Sequence, residues 1–478
     1  MKAADNKLSG FLWIIAIILF LSIPVTDALA RMVTQLIPTL TISEEFSDNY
    51  FNTENDTFEE WITSYELGFS LGFLSKTSQI YLEYAPEYKD YKNLDDRDGF
   101  TNNGSLSAAI QPTKFTTINA NMAYDGHDGN NAGESWEHSA GASIRSQLTE
   151  TINAYISQDY SKSYDQQLRT GDYKEHETNT TEVGMMKKFG AKNSLGLNFT
   201  YEFDDYSSSD ADAYTSYEPS AFMRYWFTRL DGMEVNLGYQ DKEFDLVSDN
   251  DYTTMEGDVR YIRKLSKHLD AYIKYRQYIA DRKDGDHQIF HPSVGIDWDI
   301  TDDSGISIGL GVLFHKWDND NDDSEEPFID LDAYKVFNFS PKGSLSVTGS
   351  STYEESGEEA ASLGYNILYR AGFSLDYQFT KQLSSNLFGS YQLQDFQEDL
   401  VNRKDYTGEI GGGLTWNLLK WLQLSARASH TNFNSDDALR QDYEENKITF
   451  FIRFIPEQPI RPEKMFSRKT LEDKIFED

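Results

Sequence analysis

The sequence predicts an all-β fold: a transmembrane antiparallel up-and-down β-barrel of about 22 strands, or roughly 18–22 allowing for miscounted pairings. Three observations lead there. Apolar and polar residues alternate with a period of two over long stretches. Short turns recur at a nearly constant spacing. Aromatic residues stand at two fixed heights along the strands.

The alternation comes first, because side chains on a β-strand point to opposite faces in turn. From Leu195 one face carries Leu195, Leu197, Phe199, Tyr201 and Phe203, and the other Gly196, Asn198, Thr200, Glu202 and Asp204. From Ile306 the apolar face is Ile306, Ile308, Leu310, Val312 and Phe314, against Ser307, Gly309, Gly311, Leu313 and His315. From Leu345 it is Leu345, Val347 and Tyr353, against Ser346, Thr348, Ser350 and Thr352.

The turns set the count. They lie at Leu74–Thr77, Pro112–Lys114, Leu148–Glu150, Gly190–Asn193, Thr228–Asp231, Leu265–His268, Thr301–Ser304, Pro341–Gly343, Thr380–Gln382 and Leu418–Lys420. Successive turns are roughly 36–41 residues apart, the period of a repeated supersecondary unit. About ten turns join eleven hairpins. Between them run longer acidic loops at Asn93–Asp98, Asp204–Asp212, Asp245–Asp251 and Asp318–Glu326. Short turns at one end and long loops at the other is the asymmetry of outer-membrane barrels, whose turns are periplasmic.

Alternation alone also fits a soluble sandwich. The aromatic residues decide between them. Phe73, Phe189, Phe227, Phe339, Phe379 and Trp416 stand just before turns, with Trp298 close by. On the same apolar face, Tyr84, Tyr124, Tyr160, Tyr201, Tyr239, Phe314, Tyr353 and Tyr391 form a second row. At about 3.3 Å per residue and a tilt near 40°, the rows are roughly 20–25 Å apart, the height of a barrel's lipid-facing band. A sandwich has no reason to keep two such heights.

Composition agrees. Mean hydropathy is −0.60, too low for a helical membrane protein but suited to a barrel whose strands wet one face. Aromatics make up 14% of residues, enough for two interfacial girdles. A net charge of −36 has the wrong sign for a nucleic-acid binder. The chain has 0 Cys, which excludes thiol catalysis, Cys-ligated metal and a lipoprotein anchor.

No linker divides the chain. Residues 1–30 read as a cleaved signal peptide: Lys2 and Lys7, an apolar run from Phe11 to Val25, then Ala28-Leu29-Ala30 as the cleavage site. Residues 31–455 read as the barrel. Its last strand is Ile448-Thr449-Phe450-Phe451-Ile452-Arg453-Phe454, and 456–478 form a periplasmic tail with Pro456, Pro459 and Pro462. The first strand begins by about Thr39, which leaves no plug-sized unit before it and argues against a plugged 22-stranded transporter.

Two segments near the start carry a family resemblance. Thr41-Ile42-Ser43-Glu44-Glu45-Phe46-Ser47-Asp48-Asn49 opens the first strand, and Tyr81-Leu82-Glu83-Tyr84-Ala85-Pro86-Glu87-Tyr88-Lys89-Asp90-Tyr91 follows downstream. Together they resemble the start of the putative β-barrel porin type 2 family, and later repeats resemble it loosely. The resemblance implies an outer-membrane barrel of a Gram-negative cell, of a kind often linked to exopolysaccharide or capsule loci. It carries no catalytic residue over to this chain.

Chemistry of other kinds has little support. The eight His are scattered, with no H-E-x-x-H and no G-x-S-x-G. His287 and His291 are four apart, about 13 Å along a strand, and cannot share a metal. The run Asp318–Glu326 offers hard oxygen ligands but fails the EF-hand pattern, because Asp323 stands where Gly is needed. The expectation is therefore no enzyme, no metal site and no cofactor.

What remains is the inward face. Candidate pore-lining residues are Glu202, Asp204, Arg224, Asp258, Arg260, Asp270, Tyr272, Lys274, Arg276, Asp297, Asp299, Asp330, Tyr334 and Arg370. Such charges set pore selectivity or pair across strands and stiffen the wall. Tyr81, Tyr155, Phe222 and Phe388 join Tyr272 and Tyr334 as inward aromatics able to pack on sugar rings. The functional expectation is a porin-like path for polar solutes in the cell outer membrane. Its most specific form is export of a secreted exopolysaccharide. The alternatives are a general small-solute porin, a structural or adhesion barrel with an occluded lumen, and an outer-membrane barrel hydrolase. Expected partners are outer-membrane lipid and lipopolysaccharide, with polysaccharide and periplasmic export components for the export reading, and no nucleic acid.

Overall fold

The computed structural model describes residues 33–129, 133–166, 173–206, 213–245, 251–282, 286–301, 303–317, 323–355, 364–398, 402–437 and 440–460. The expected signal peptide lies outside these, as do most of the tail and the centres of three acidic loops.

Twenty-two strands follow one another. The first eleven are β1 (Val33–Ser47), β2 (Glu60–Leu74), β3 (Ser78–Tyr91), β4 (Gly99–Thr113), β5 (Thr116–Gly129), β6 (Gly133–Gln147), β7 (Ile152–Gln166), β8 (Tyr173–Lys188), β9 (Ser194–Tyr206), β10 (Tyr214–Trp226) and β11 (Asp231–Phe244). The rest are β12 (Tyr252–Lys264), β13 (Leu269–Arg282), β14 (His287–Thr301), β15 (Ser304–Trp317), β16 (Ser324–Ser340), β17 (Gly343–Glu355), β18 (Gly364–Gln378), β19 (Leu383–Glu398), β20 (Asn402–Leu419), β21 (Leu422–Ser435) and β22 (Tyr443–Phe454). Each pairs antiparallel with the next, and β1 pairs with β22 from Leu40↔Phe454 to Ser47↔Lys447, which closes the sheet. Closure removes the free edges that would otherwise invite aggregation.

All ten short turns stand where the sequence puts them. The last is displaced slightly, since β20 runs on to Leu419 and β21 starts at Leu422. A one-turn 3₁₀ helix, Asp95–Arg97, occupies the loop between β3 and β4. The tail is less free than a simple extension. Ile460 exchanges two main-chain hydrogen bonds with Leu36, at 2.7 and 2.8 Å, beside the part of β1 that β22 does not reach. Lys420 also forms an ion pair with Glu457.

The barrel wears its apolar side outward. Ile273 is 61% exposed, Leu310 57% and Val294 55%, and they lie side by side on β13, β15 and β14. Which face is concave follows from reach. Arg260 on β12 touches Asp297 on β14, and Lys274 on β13 approaches Asp330 on β16. Only side chains on the inner face of a curved sheet converge enough to pass over an intervening strand.

One aromatic expectation is overturned. Tyr353, which its spacing puts in the outer girdle, is buried at 7% exposure among Ile289, Leu313 and Phe328, with Ile367. Those first three residues occupy inward positions on β14, β15 and β16. The reason lies in the ladder. Pairing of β16 with β17 ends at Leu331↔Ser351, although β16 continues to Ser324 against β15, and β17 to Glu355 against β18. Past Ser351 the β17–β18 hairpin leaves the wall and folds inward. Its outward-parity side chains then face the inner wall instead of the exterior.

Candidate functional site: the inner wall

The inner face from β10 to β16 is built as a cross-strand charge ladder. Arg224 Nε donates to Glu234 Oε1 at 2.6 Å, and the other Glu234 oxygen lies 3.8 Å from Arg260 Nη1. Arg260 then binds Asp297, which also accepts from the Ser307 hydroxyl at 2.7 Å. Asn236 donates to Asp258 at 2.9 Å. Arg276 pairs with Glu256 at 3.4 Å, Lys264 with Asp270 at 3.7 Å and Lys274 with Asp330 at 4.0 Å. On β18, Arg370 donates to Gln392 at 3.2 Å. Further round the wall, Asp204 is buried against His176 at 2.9 Å, and Glu202 accepts from the Tyr214 hydroxyl at 2.7 Å.

By strand alternation all fourteen candidate residues, Asp299 among them, share the face on which these contacts lie. Arg224, Arg260, Asp297, Lys274 and Asp330 are brought into one continuous patch, whereas Glu202, Asp204 and Arg370 lie outside it. Sequence reasoning passed over Glu234 and Lys264, although alternation with Met233 and Val235 already assigns Glu234 inward. Glu234 is the link between Arg224 and Arg260. Counting Glu218, Glu234, Glu256, Asp258, Asp270, Asp297, Asp299, Glu326, Asp330 and Asp332 against Arg224, Lys242, Arg260, Lys264, Lys274 and Arg276, this wall has a surplus of negative charge among the described residues. Among the described residues, Asp299 and Asp332 have no ion-pair partner.

The six inward aromatics singled out from the sequence share one device: each lies over a glycine of an adjoining strand. A Cβ on Gly72 would stand 3.2 Å from the Tyr81 ring, one on Gly184 2.2 Å from Tyr155, and one on Gly196 3.3 Å from Phe222. For Gly305 and Tyr334 the distance is 2.9 Å, and for Gly411 and Phe388 it is 2.6 Å. Tyr272 reaches over two glycines, Gly295 and Gly309, at 2.4 and 2.6 Å. A missing side chain makes the hollow, and the ring lies flat in it. The rings thereby lie against the wall.

Depth separates these rings as contact surfaces. Tyr272 is only 5% exposed, because the Arg260 guanidinium covers its ring at 4.0 Å. It is a wall element and has no open face for a sugar. Tyr334 is 45% exposed and does present one. Among the described residues no group of three or more His, Asp or Glu side chains is arranged to hold a metal. The Asp318–Glu326 run falls largely outside the described residues.

A closed 22-stranded antiparallel barrel, apolar outside and charged within, is a porin-like barrel of the outer-membrane type. Comparison with known proteins agrees: residues 332–454 match the family described as "Putative beta-barrel porin 2". Solved structures share the architecture at very low identity. A variant of the ferric enterobactin receptor of Pseudomonas aeruginosa is 9% identical with a TM-score of 0.55, covering 88% of this chain and 81% of that one. The siderophore receptor PirA of Acinetobacter baumannii is 9% identical with a TM-score of 0.54, covering 89% and 81%. The copper transporter OprC is 8% identical with a TM-score of 0.52, covering 89% and 80%. Such likeness concerns the fold alone. No curated protein matches in sequence.

Proposed function

We propose that the chain is an unplugged barrel of the outer membrane that gives polar solutes a path across it, and that its cargo is a secreted exopolysaccharide. The observation that carries the solute path is the inner wall. Charges and hydroxyls there face a lumen wider than that of a 16–18-stranded porin, which already holds water. The polysaccharide follows from the family resemblance, and the width and the open Tyr334 ring suit it. A hydrated glycan needs a wide polar channel with a few flat apolar contacts. In this reading the short turns are periplasmic, the acidic loops are outside the cell, and lipid with lipopolysaccharide surrounds the apolar band. The wall residues bind and guide, and none performs covalent chemistry.

The test is genetic. Deleting the gene is expected to reduce surface polysaccharide while leaving uptake of a small sugar intact. Tyr334→Ala should lower export from a barrel that still folds, as judged by its heat-modifiable migration. Normal polysaccharide with slowed small-sugar uptake would instead identify a general porin.

A further inference from the structure

The inner wall changes character between β16 and β20. From β10 to β16 it carries long charged side chains. In the half of β16–β20 nearest the short turns it carries short hydroxyl and amide side chains instead. One row crosses all of these strands: Asn338, Ser344, Asp376, Asn386 and Gly413, each paired with the next in register. The row beside it, two residues further from the turns, brings Ser346 opposite Ser374 and Ser374 opposite Phe388. By alternation these residues share the face of Tyr334 and Arg370.

Short side chains leave room, and the row forms the floor of a hollow of about 400 Å³. Asn386 lies flat across the neighbouring strand, since a Cβ on Gly413 would stand 2.7 Å from its Oδ1. Ser346 donates to the Ser374 carbonyl at 3.3 Å, and the Ser374 hydroxyl donates to Asp376 at 3.3 Å. Asn338, Asp376 and Asn386 are nonetheless exposed, so polar atoms of the floor face the lumen. Among the described residues the lining holds one carboxylate, Asp376, and one ammonium, Lys342. Lys342 stands at the rim, where its Nζ donates to the Phe379 carbonyl at 3.4 Å. The charges of the hollow therefore balance, unlike the acidic surplus of the wall from β10 to β16. At the β20 side the Arg427 guanidinium lies 4.9 Å from the Phe388 ring and bounds the floor.

We propose that this hollow is a glycan subsite at the turn-side mouth of the barrel, which takes an uncharged stretch of sugar chain across β16–β20. Neighbouring strands are about 4.8 Å apart, so the row presents polar groups at a step close to the length of one sugar ring. Hydroxyls and carboxamides both give and accept hydrogen bonds, as sugar hydroxyls do. A floor with balanced charge gains nothing from an ionic ligand. The subsite deepens the exopolysaccharide reading and rests on it: with the short turns periplasmic, it meets the glycan where the chain enters the barrel.

Calorimetric titration of the purified full chain in detergent with maltohexaose and cellohexaose tests the subsite without requiring conduction. At least one of these neutral oligosaccharides should bind. Ser344→Ala combined with Asn386→Ala should weaken that binding about ten-fold, as expected for lost hydrogen bonds between neutral groups. Asn119→Ala removes the same amide from β5, at a similar distance from its turn, and should leave binding unchanged. The chain has 0 native Cys, so Ser344→Cys gives a second readout: the bound hexaose should slow its reaction with a water-soluble maleimide several-fold. With binding as expected, normal surface polysaccharide on the deletion strain would remove the export reading and leave the subsite in place. Binding of neither hexaose, tighter binding of an oligogalacturonate, equal weakening by Asn119→Ala, or an unchanged maleimide rate would overturn the subsite.

Discussion

Leu237→Arg and Asn236→Arg place the same side chain at one depth on opposite faces of β11. Leu237 is 56% exposed on the outer face, and its paired neighbours are Ala221 and Gly257. Neither can offer a counter-charge, so a guanidinium there faces lipid or must bend toward the rim. An arginine on the lipid face near mid-membrane costs about 2–4 kcal/mol, or roughly 30- to 700-fold in the folding equilibrium at 1.4 kcal/mol per decade. Asn236 lies 2.9 Å from Asp258 on the wet face. An arginine there keeps a carboxylate partner and should change stability by no more than about 0.5 kcal/mol. Equilibrium urea unfolding from phospholipid vesicles measures both. Equal costs for the two variants, or no cost at Leu237, would refute the assignment of faces.

Two further outcomes follow from the same geometry. A Cβ on Gly295 would meet the Ile308 carbonyl oxygen at 2.3 Å as well as the Tyr272 ring, whereas nothing lies within 4 Å of one on Gly408. Gly295→Val should therefore lower the urea midpoint by an amount equivalent to about 1–3 kcal/mol, with Gly408→Ala near wild type; the reverse order would contradict the aromatic–glycine packing. On intact cells, an impermeant thiol reagent should label Asp96→Cys, in the loop after β3, and spare Lys267→Cys, in a short turn. The opposite pattern would invert the topology.

Much of this was legible because a barrel wall is nearly one-dimensional. Strand and turn depend on period and local turn chemistry, and so the ten turns and a count of about 22 strands could be read directly. The inward course of β17 past Ser351 was not legible by that route. Tyr353 keeps the parity of Leu345 and Val347, and parity says nothing about a strand that leaves the wall. A signal was present nonetheless. Ile289, Leu313 and Phe328 put three large apolar side chains on the wet face of neighbouring strands, where water alone would not favour them. Their partner had to come from within the lumen. The depth of Tyr272 was hidden for a different reason. Alternation gives the side a residue faces, but the cover of Arg260 depends on two strands and two glycines meeting in register.

Single-channel recording of the purified protein in planar bilayers tests most directly whether the charged inner wall conducts. Discrete openings are expected, with reversal potentials under a salt gradient that favour cations weakly, since acids outnumber bases on the wall. That preference should fade from 0.1 M to 1 M salt as the Debye length shrinks from about 10 Å to about 3 Å. A silent bilayer holding folded barrel, or a pore that prefers anions, would contradict the account.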